Sequence, residues 1–369
     1  MKLDIFGFLV NFLIKNKSID KLEHIPMDNV HNILLMSNTA IGDTLFNTPV
    51  FRSLKLHYPT KKLIVLLNPA NYKLFETNKY IDEIVLYDGK WNKFFQVLKI
   101  LKTKKIDATF ILHSNEPQAT PLALLSNSKY IIKIPNDKNE YNRFHTNVPI
   151  SSYGDRHGVF DRLRQLEYLN IFENDPRMDI VLKDSWKDEV FDYLESKNID
   201  NSTIVIGFQI GASTVSRMWF SDKWVELGKK IFLKYPNAII ILTGAPNEIK
   251  LTNEVEEEIN SSRVLNLAGK FPLGSAAALI GSLDIFITPD TGPLHIAIAL
   301  KVPTIGFFVV ANHIGSNACY DQDIHLYIQK EKTCNPCIAK NCKYQECMLQ
   351  ITVEEVLNLT ERVLNFRQD

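Results

Sequence analysis

The chain has no apolar run long enough to cross a bilayer as a helix. Its most hydrophobic stretch, residues 5–14, is ten residues long, about half of the ~20 that a span requires. No small-residue cleavage site follows it, whereas Lys15 and Lys17 do, which argues against a secretory signal. Net charge is missing too. Lys+Arg and Asp+Glu both number 42, so the total does not point to a polyanion and no nucleic-acid partner is expected. No G-x-G-x-x-G follows the first strand and no G-x-x-x-x-G-K-[ST] occurs anywhere, which counts against a dinucleotide dehydrogenase and a P-loop NTPase. Cysteine is scarce, five in 369 residues. Without an export signal, a reducing, cytoplasmic location is the expectation.

What is present describes a globular protein with room for two cores: 45% of the residues are hydrophobic and 23% charged. Short apolar runs bounded by turn residues alternate with helical patterns. Strands are expected at 32–36, 63–67, 84–87, 108–112 and 131–134, and helices at 43–57, 72–79, 93–101 and 159–169. Pro49 lies inside one of these helices and must start a new turn or kink it. After a charged stretch at 183–198 the alternation restarts. Strands follow at 204–209, 238–243, 264–267, 284–288 and 304–308, with helices at 222–235, 247–259, 273–282, 293–300 and 353–366. Ser221 is the expected N-cap of the 222–235 helix, with Phe220 as its staple residue. Two successive βα series predict two doubly wound α/β domains with a cleft between them. At the N-terminus, Asp4, Asn11 and Lys15 share one helical face, with Phe6, Leu9, Phe12 and Leu13 elsewhere. That pattern reads as an amphipathic helix packed on the protein's own body, with docking on a membrane surface as the alternative.

Three strand-to-helix turns carry candidate chemistry. Asp290-Thr291-Gly292-Pro293-Leu294-His295 joins an apolar strand to an apolar helix. Such a turn aims unpaired helix N–H groups at an anion, and Gly292 allows close approach. The plain alternative is a helix start capped by Asp290 or Thr291, with Pro293 in its first turn. Gly211-Ala212-Ser213-Thr214 through Arg217 follows the strand at 204–209. Ser213 and Thr214 can donate hydrogen bonds there, and Arg217 can clamp a phosphate bidentately; a solvated loop is the alternative. Gly42-Asp43-Thr44 sits at the first turn of the first domain. Asp43 either caps its helix or accepts a proton at the ligand edge of the sheet.

Four of the cysteines, Cys334, Cys337, Cys342 and Cys347, cluster late. Their spacing suits a structural zinc, against which stand packed reduced thiols or local disulfides. Asp321-Gln322-Asp323 has the form of a metal-binding D-x-D, but it follows no clear strand and reads as a solvated turn.

Taken in order, several segments resemble glycosyltransferase family 9, the lipopolysaccharide heptosyltransferases. They are Gly42-Asp43-Thr44-Leu45-Phe46-Asn47-Thr48-Pro49, Gly211-Ala212-Ser213 with Arg217 and Trp219, Thr243-Gly244 with Glu248, Asn266-Leu267-Ala268-Gly269, and Thr288-Pro289-Asp290 through His295. The resemblance implies a GT-B fold of two Rossmann-like doubly wound domains facing a central cleft. An acceptor domain at 30–180 and a nucleotide-sugar domain at 181–350 would be preceded by the amphipathic segment at 1–29. The helix at 351–369 would pack back on the first domain. The implied activity is inverting, metal-independent transfer of a sugar, with heptose from ADP-heptose favoured, to a hydroxyl of a lipopolysaccharide core or related surface glycan. The implied location is cytoplasmic, with peripheral contact at the inner membrane. By the match, Asp43 is the catalytic base, flanked on the acceptor side by Gly42 and Thr44. Ser213, Thr214, Arg217, Thr291 and Gly292 grip the diphosphate, and Asp290 and His295 face the donor sugar or its phosphate. Glu248 bonds the ribose, and the backbone near Leu267 and Ala268 receives the base. No cofactor is needed for catalysis, and zinc at the cysteines would be structural. Phe220 follows Trp219 where members commonly have Pro. Arg143, Arg156, Arg162 and Arg164 stand as contacts for acceptor phosphates or as a solvated face. The competing readings are a nucleotide-sugar epimerase or hydrolase on the same scaffold, and a non-catalytic sugar-nucleotide-binding protein.

Overall fold

Strands that are apolar on both faces can only lie in the middle of a layered structure, and these strands do. The computed structural model describes residues 5–134, 139–147, 157–200 and 202–366, and the chain divides into two units, Met1–Asp179 and Ile180–Asp369. The first contains α1 (Ile5–Ile14), β1 (Asn32–Ser37), α2 (Ile41–His57), β2 (Lys62–Leu67), α3 (Tyr72–Phe75), β3 (Glu83–Leu86), α4 (Trp91–Thr103), β4 (Ala108–His113), α5 (Ala119–Leu125), β5 (Tyr130–Lys133) and α6 (Gly158–Leu163). Its sheet is parallel, in the order β3-β2-β1-β4-β5. Leu34, Met36, Ile64, Leu66 and Ile131 on its strands are fully buried and pack with Phe94 and Leu101 of α4 and Leu122 of α5.

The second unit contains α7 (Asp184–Glu195), β6 (Ile204–Gln209), α8 (Ser221–Lys234), β7 (Ala238–Thr243), α9 (Ile249–Ile259), β8 (Val264–Asn266), α10 (Leu273–Gly281), β9 (Ile285–Pro289), α11 (Gly292–Ala299), β10 (Thr304–Phe308), α12 (His313–Ser316), β11 (His325–Gln329), α13 (Glu346–Leu349) and α14 (Val353–Phe366). Its six strands are also parallel, in the order β11-β10-β9-β6-β7-β8. Each sheet therefore reverses its strand order beside its first strand, between β1 and β4 and between β6 and β9. An aspartate pins each reversal at the other end. Asp107 Oδ2 accepts from His31 N and Asn32 N at 2.8 and 2.9 Å, and Asp284 Oδ2 accepts from Val205 N at 2.7 Å.

Several elements differ from the sequence expectation for identifiable reasons. The charged stretch at 183–198 is the helix α7, held by Val190 and Leu194 on its buried side. The expected helix at 72–79 stops after one turn at Phe75. α8 begins at Ser221 itself, and its N-cap position is Phe220, without a side-chain cap bond. α2 runs unbroken through Pro49. Proline supplies no N–H to the carbonyl four residues earlier, and Thr48 Oγ1 donates to that Leu45 carbonyl instead, at 2.7 Å. The apolar stripe of the final helix, Val356, Leu357, Val363 and Leu364, joins the core of the second unit, where α14 packs on α8, β9 and β10.

Two buried histidines should make the fold lose stability in acid. His145 lies within 2.9 Å of Thr120 Oγ1, and burial, reinforced by Lys133 and Lys21, pushes its pKa down to about 3. His325 lies 3.1 Å from Thr304 Oγ1, and burial lowers it to about 4 against the pull of Asp321 and Asp323. Both folded values lie below the ~6.5 of an unfolded histidine. Between those limits the unfolded chain binds more protons, so stability is full above pH ~6.5 and falls as pH drops. The thermal midpoint should decline progressively from about pH 6.5 to 4. In His145→Gln and His325→Gln variants, scanned over the same range, that slope should be shallower.

Candidate active site

Parallel sheets of this kind leave a crevice at the carboxyl ends of the strands where the order reverses. In the first unit, β1 and β4 end there. The turn after β1 enters α2, whose N-cap is Ala40 without a side-chain cap bond. Asp43 is therefore not the cap but a first-turn residue, favourably placed at the positive end of the helix. Its carboxylate has three neighbours: Thr39 Oγ1 at 3.3 Å, His113 Nε2 at 3.4 Å and Arg162 Nη2 at 3.7 Å. His113, the last residue of β4, also meets Thr39 Oγ1 through Nδ1 at 2.6 Å. Burial lowers the His113 pKa most; Asp43 opposes that shift, and Arg162 and Lys133 add to it. The ring is thus neutral near pH 7, with one nitrogen as donor and one as acceptor. Arg162 is held from α6 by its own bond to the Gly158 carbonyl, 2.9 Å.

Thr44 is buried, and its hydroxyl donates to Ala40 O at 3.1 Å while accepting from Asn71 Nδ2 at 3.2 Å. It builds the turn rather than lining its surface. Gly42 is likewise buried within α2. Of the other arginines, Arg164 pairs with Glu167 at 3.4 Å and Arg143 lies over the Phe144 ring, while Arg156 falls outside the described residues. Farther along the same edge, Lys133 Nζ pairs with Glu116 at 2.7 Å, and Glu116 also accepts from Thr120 N at 3.1 Å.

In the second unit, β6 and β9 end at the reversal. Asp290 and His295 are both buried, and Asp290 is the hub of the turn. Arg217 donates through Nη1 to its carbonyl at 3.1 Å and pairs through Nη2 with its carboxylate at 3.5 Å. His295 Nε2 lies 3.8 Å from the other carboxylate oxygen. Arg217 Nε, also buried, has no hydrogen-bond partner among the described residues. Thr291 is the N-cap of α11, yet its side chain makes no cap bond and meets Thr288 Oγ1 at 3.1 Å instead. With Asp290 engaged by Arg217 and Thr291 by Thr288, neither caps the helix. The start of α11 thus has no side-chain cap, and such uncapped first-turn N–H groups are able to meet an anion.

The remaining expected donor residues divide by burial. Ser213 is exposed in the loop after β6, and Thr214 Oγ1 meets Ser216 Oγ at 3.1 Å. Glu248 accepts from Ala245 N at 2.8 Å and from Gln209 Nε2 at 3.3 Å. Its side chain occupies the space a Cβ on Gly211 would need. Leu267 N and Ala268 N are satisfied inside the fold, by Leu242 O at 2.9 Å and Asn266 Oδ1 at 3.2 Å. Trp219 is buried and donates to Ile351 O at 3.1 Å, and Phe220 takes φ −74°, a value proline would also adopt.

The zinc expectation finds no support. Cys334, Cys337, Cys342 and Cys347 are free thiols. Among the described residues no three His, Cys, Asp or Glu side chains converge as a metal would require. Backbone N–H groups meet two of them, Ala339 N to Cys337 Sγ at 3.3 Å and Thr333 N to Cys347 Sγ at 3.4 Å. The sequence reading also missed His113 and Thr39 as neighbours of Asp43. The available signal was positional: His113 ends the strand that the topology sets beside β1.

Comparison with known proteins identifies the family. The model for glycosyltransferase family 9 (heptosyltransferase) matches residues 155–348. Lipooligosaccharide heptosyltransferase 2 of Campylobacter jejuni (strain NCTC 11168) is 25% identical over 335 residues, covering 88% of this chain and 96% of that protein. The crystal structure of a family 9 glycosyltransferase from Veillonella parvula superposes with TM-score 0.78 at 21% identity, over 93% of this chain and 99% of the other. The E. coli ADP-heptose lipopolysaccharide heptosyltransferase II superposes with TM-score 0.70 at 17% identity, over 91% and 99%. Two parallel sheets with their open turns at the strand-order reversals, and a family match over more than half of the sequence, place this chain in glycosyltransferase family 9.

Proposed function

We propose that the protein transfers heptose from ADP-heptose to a hydroxyl of a lipopolysaccharide core or related surface glycan, with inversion at the anomeric carbon. The observation that carries the reading is the uncapped start of α11 beside the Arg217–Asp290–His295 cluster. It offers N–H donors and a guanidinium to a diphosphate, the group that acquires charge as the donor bond breaks. Relatives named as heptosyltransferases support the sugar, and the E. coli structure named for ADP-heptose supports the nucleotide. Nothing observed favours the epimerase, hydrolase or binding-protein alternatives.

The chemistry is a single displacement. The acceptor oxygen bonds to the anomeric carbon as the bond to the β-phosphate oxygen breaks, and ADP leaves with the electron pair. Asp43 accepts the proton of the acceptor hydroxyl. Thr39, His113 and Arg162 fix the direction of its carboxylate. Arg217, Gly292 and Leu294 hold the departing diphosphate, and in this reading no step is assigned to a metal ion. Glu248, beside Gly211, takes the ribose in this reading. Such an acceptor sits in a membrane, so the enzyme works at the cytoplasmic face of the inner membrane.

Asp43→Asn should lower kcat by about 10²–10⁴-fold while leaving stabilisation by ADP intact in a thermal-shift assay. Substantial transfer by this variant would remove Asp43 as the base. Arg217→Ala should reduce stabilisation by ADP, because the stabilisation from binding grows with the logarithm of affinity at fixed ligand concentration. In a thermal screen of ADP-, UDP-, GDP- and CMP-sugars, the ADP-linked compounds should give the largest shift.

A further inference from the structure

A helix that is apolar all round belongs in a core or a membrane; α1 is apolar on both sides and stands half outside the protein. Its inner side is settled. Val10 and Ile14 are buried, Asn11 accepts a hydrogen bond from Tyr141 Oη at 3.0 Å, and the helix packs on α5. The expected polarity is thus reversed: the polar Asn11 faces the protein. At about 100° per residue, Phe6, Phe8, Leu9, Phe12 and Leu13 share the opposite arc, and all five are exposed, Phe8 by 70% and Phe12 by 68%. No described residue of the helix carries a charge, and the next charged residues along the chain are the exposed Lys15 and Lys17. Beside the arc lies a cavity of about 510 Å³, with Phe8, Phe12 and Lys15 on one side and Glu140, Tyr141, Arg143 and Phe144 on the other.

We propose that α1 and this cavity form a docking site for an anionic phospholipid surface, with the Phe8–Phe12 face lying in the acyl region and Lys15, Lys17 and Arg143 meeting headgroup phosphates. An apolar face backed by basic residues is the make-up of an interfacial helix. Two or three basic groups near an anionic leaflet add roughly tenfold or more in affinity. A second copy of the chain fits less well. Five exposed side chains fall far short of the 20–30 residues per partner in a standard interface. The proposal takes its purpose from the membrane-glycolipid reading above, but vesicle binding itself does not depend on it.

The test is flotation of the purified full-length protein with vesicles of phosphatidylcholine alone and of phosphatidylcholine mixed with phosphatidylglycerol, without donor or acceptor. Wild type should partition onto the mixed vesicles about tenfold better, less so at high salt. Phe8→Ser/Phe12→Ser should lose tenfold or more of that binding, with an unchanged thermal midpoint because both rings are exposed. Asp43→Asn should bind as wild type does. Equal binding by wild type and the double variant would overturn the proposal. So would no vesicle binding by a wild type that still transfers heptose to a detergent-dispersed acceptor, or a dimer abolished by the double variant without vesicle binding. Vesicle binding without any heptosyl transfer would overturn the glycolipid reading and leave this one standing.

Discussion

The site of each unit depends on the reversal of strand order in a parallel sheet. Connections that leave neighbouring strands in opposite directions cannot cover the gap between them. The gap at β1/β4 receives Asp43 and His113, and the gap at β6/β9 receives Arg217 and the start of α11. In both units an aspartate ties the amino end of the first strand to its neighbour, fixing register at the closed end while the carboxyl end stays open. The protein thus makes two open edges by one device and distinguishes them by side chains: a carboxylate in the first, a guanidinium and an uncapped helix start in the second.

The chemistry of these edges depends on groups that are prevented from satisfying each other locally. Asp290 could cap α11, but Arg217 and His295 draw its carboxylate away. Thr291 occupies the cap position while its hydroxyl meets Thr288. In the first unit, Ala40 occupies the cap position of α2 and has no oxygen to offer. Each helix start thereby retains the partial positive charge that a cap would have consumed. A different missing bond in α2 is made good locally: at Pro49, Thr48 supplies the hydrogen bond that proline cannot.

Most of the architecture was legible because buried parallel strands must be short, apolar and bounded by turns. The runs behind β1, β2, β4, β6, β7, β9 and β10 announce themselves in that way. β11 does not: His325 and Tyr327 interrupt its apolar pattern, and the strand owes its place to pairing with β10. α7 was hidden by its charge, since Val190 and Leu194 alone supply a buried stripe. Within the site, residues in strand-to-helix turns could be singled out from local pattern. His113 could not, because its meeting with Asp43 spans 70 positions of chain and is made by sheet order. The cysteines illustrate the opposite error. Spacing suggested a tetrahedral cage, but only side-chain direction decides whether thiols converge, and spacing does not encode it. The outward turn of the apolar face of α1 was likewise invisible, since helical periodicity defines faces without saying which one the protein covers.

One contact constrains how this sequence can change. The side chain of Glu248 rests where a Cβ on Gly211 would lie, and the same carboxylate ties Gln209 to the turn after β7. Any larger residue at 211 must evict Glu248, and a shorter acid at 248 leaves a hole above Gly211. Drift at either position is therefore blocked until the other yields, and the two are expected to vary as a linked pair across the lineage.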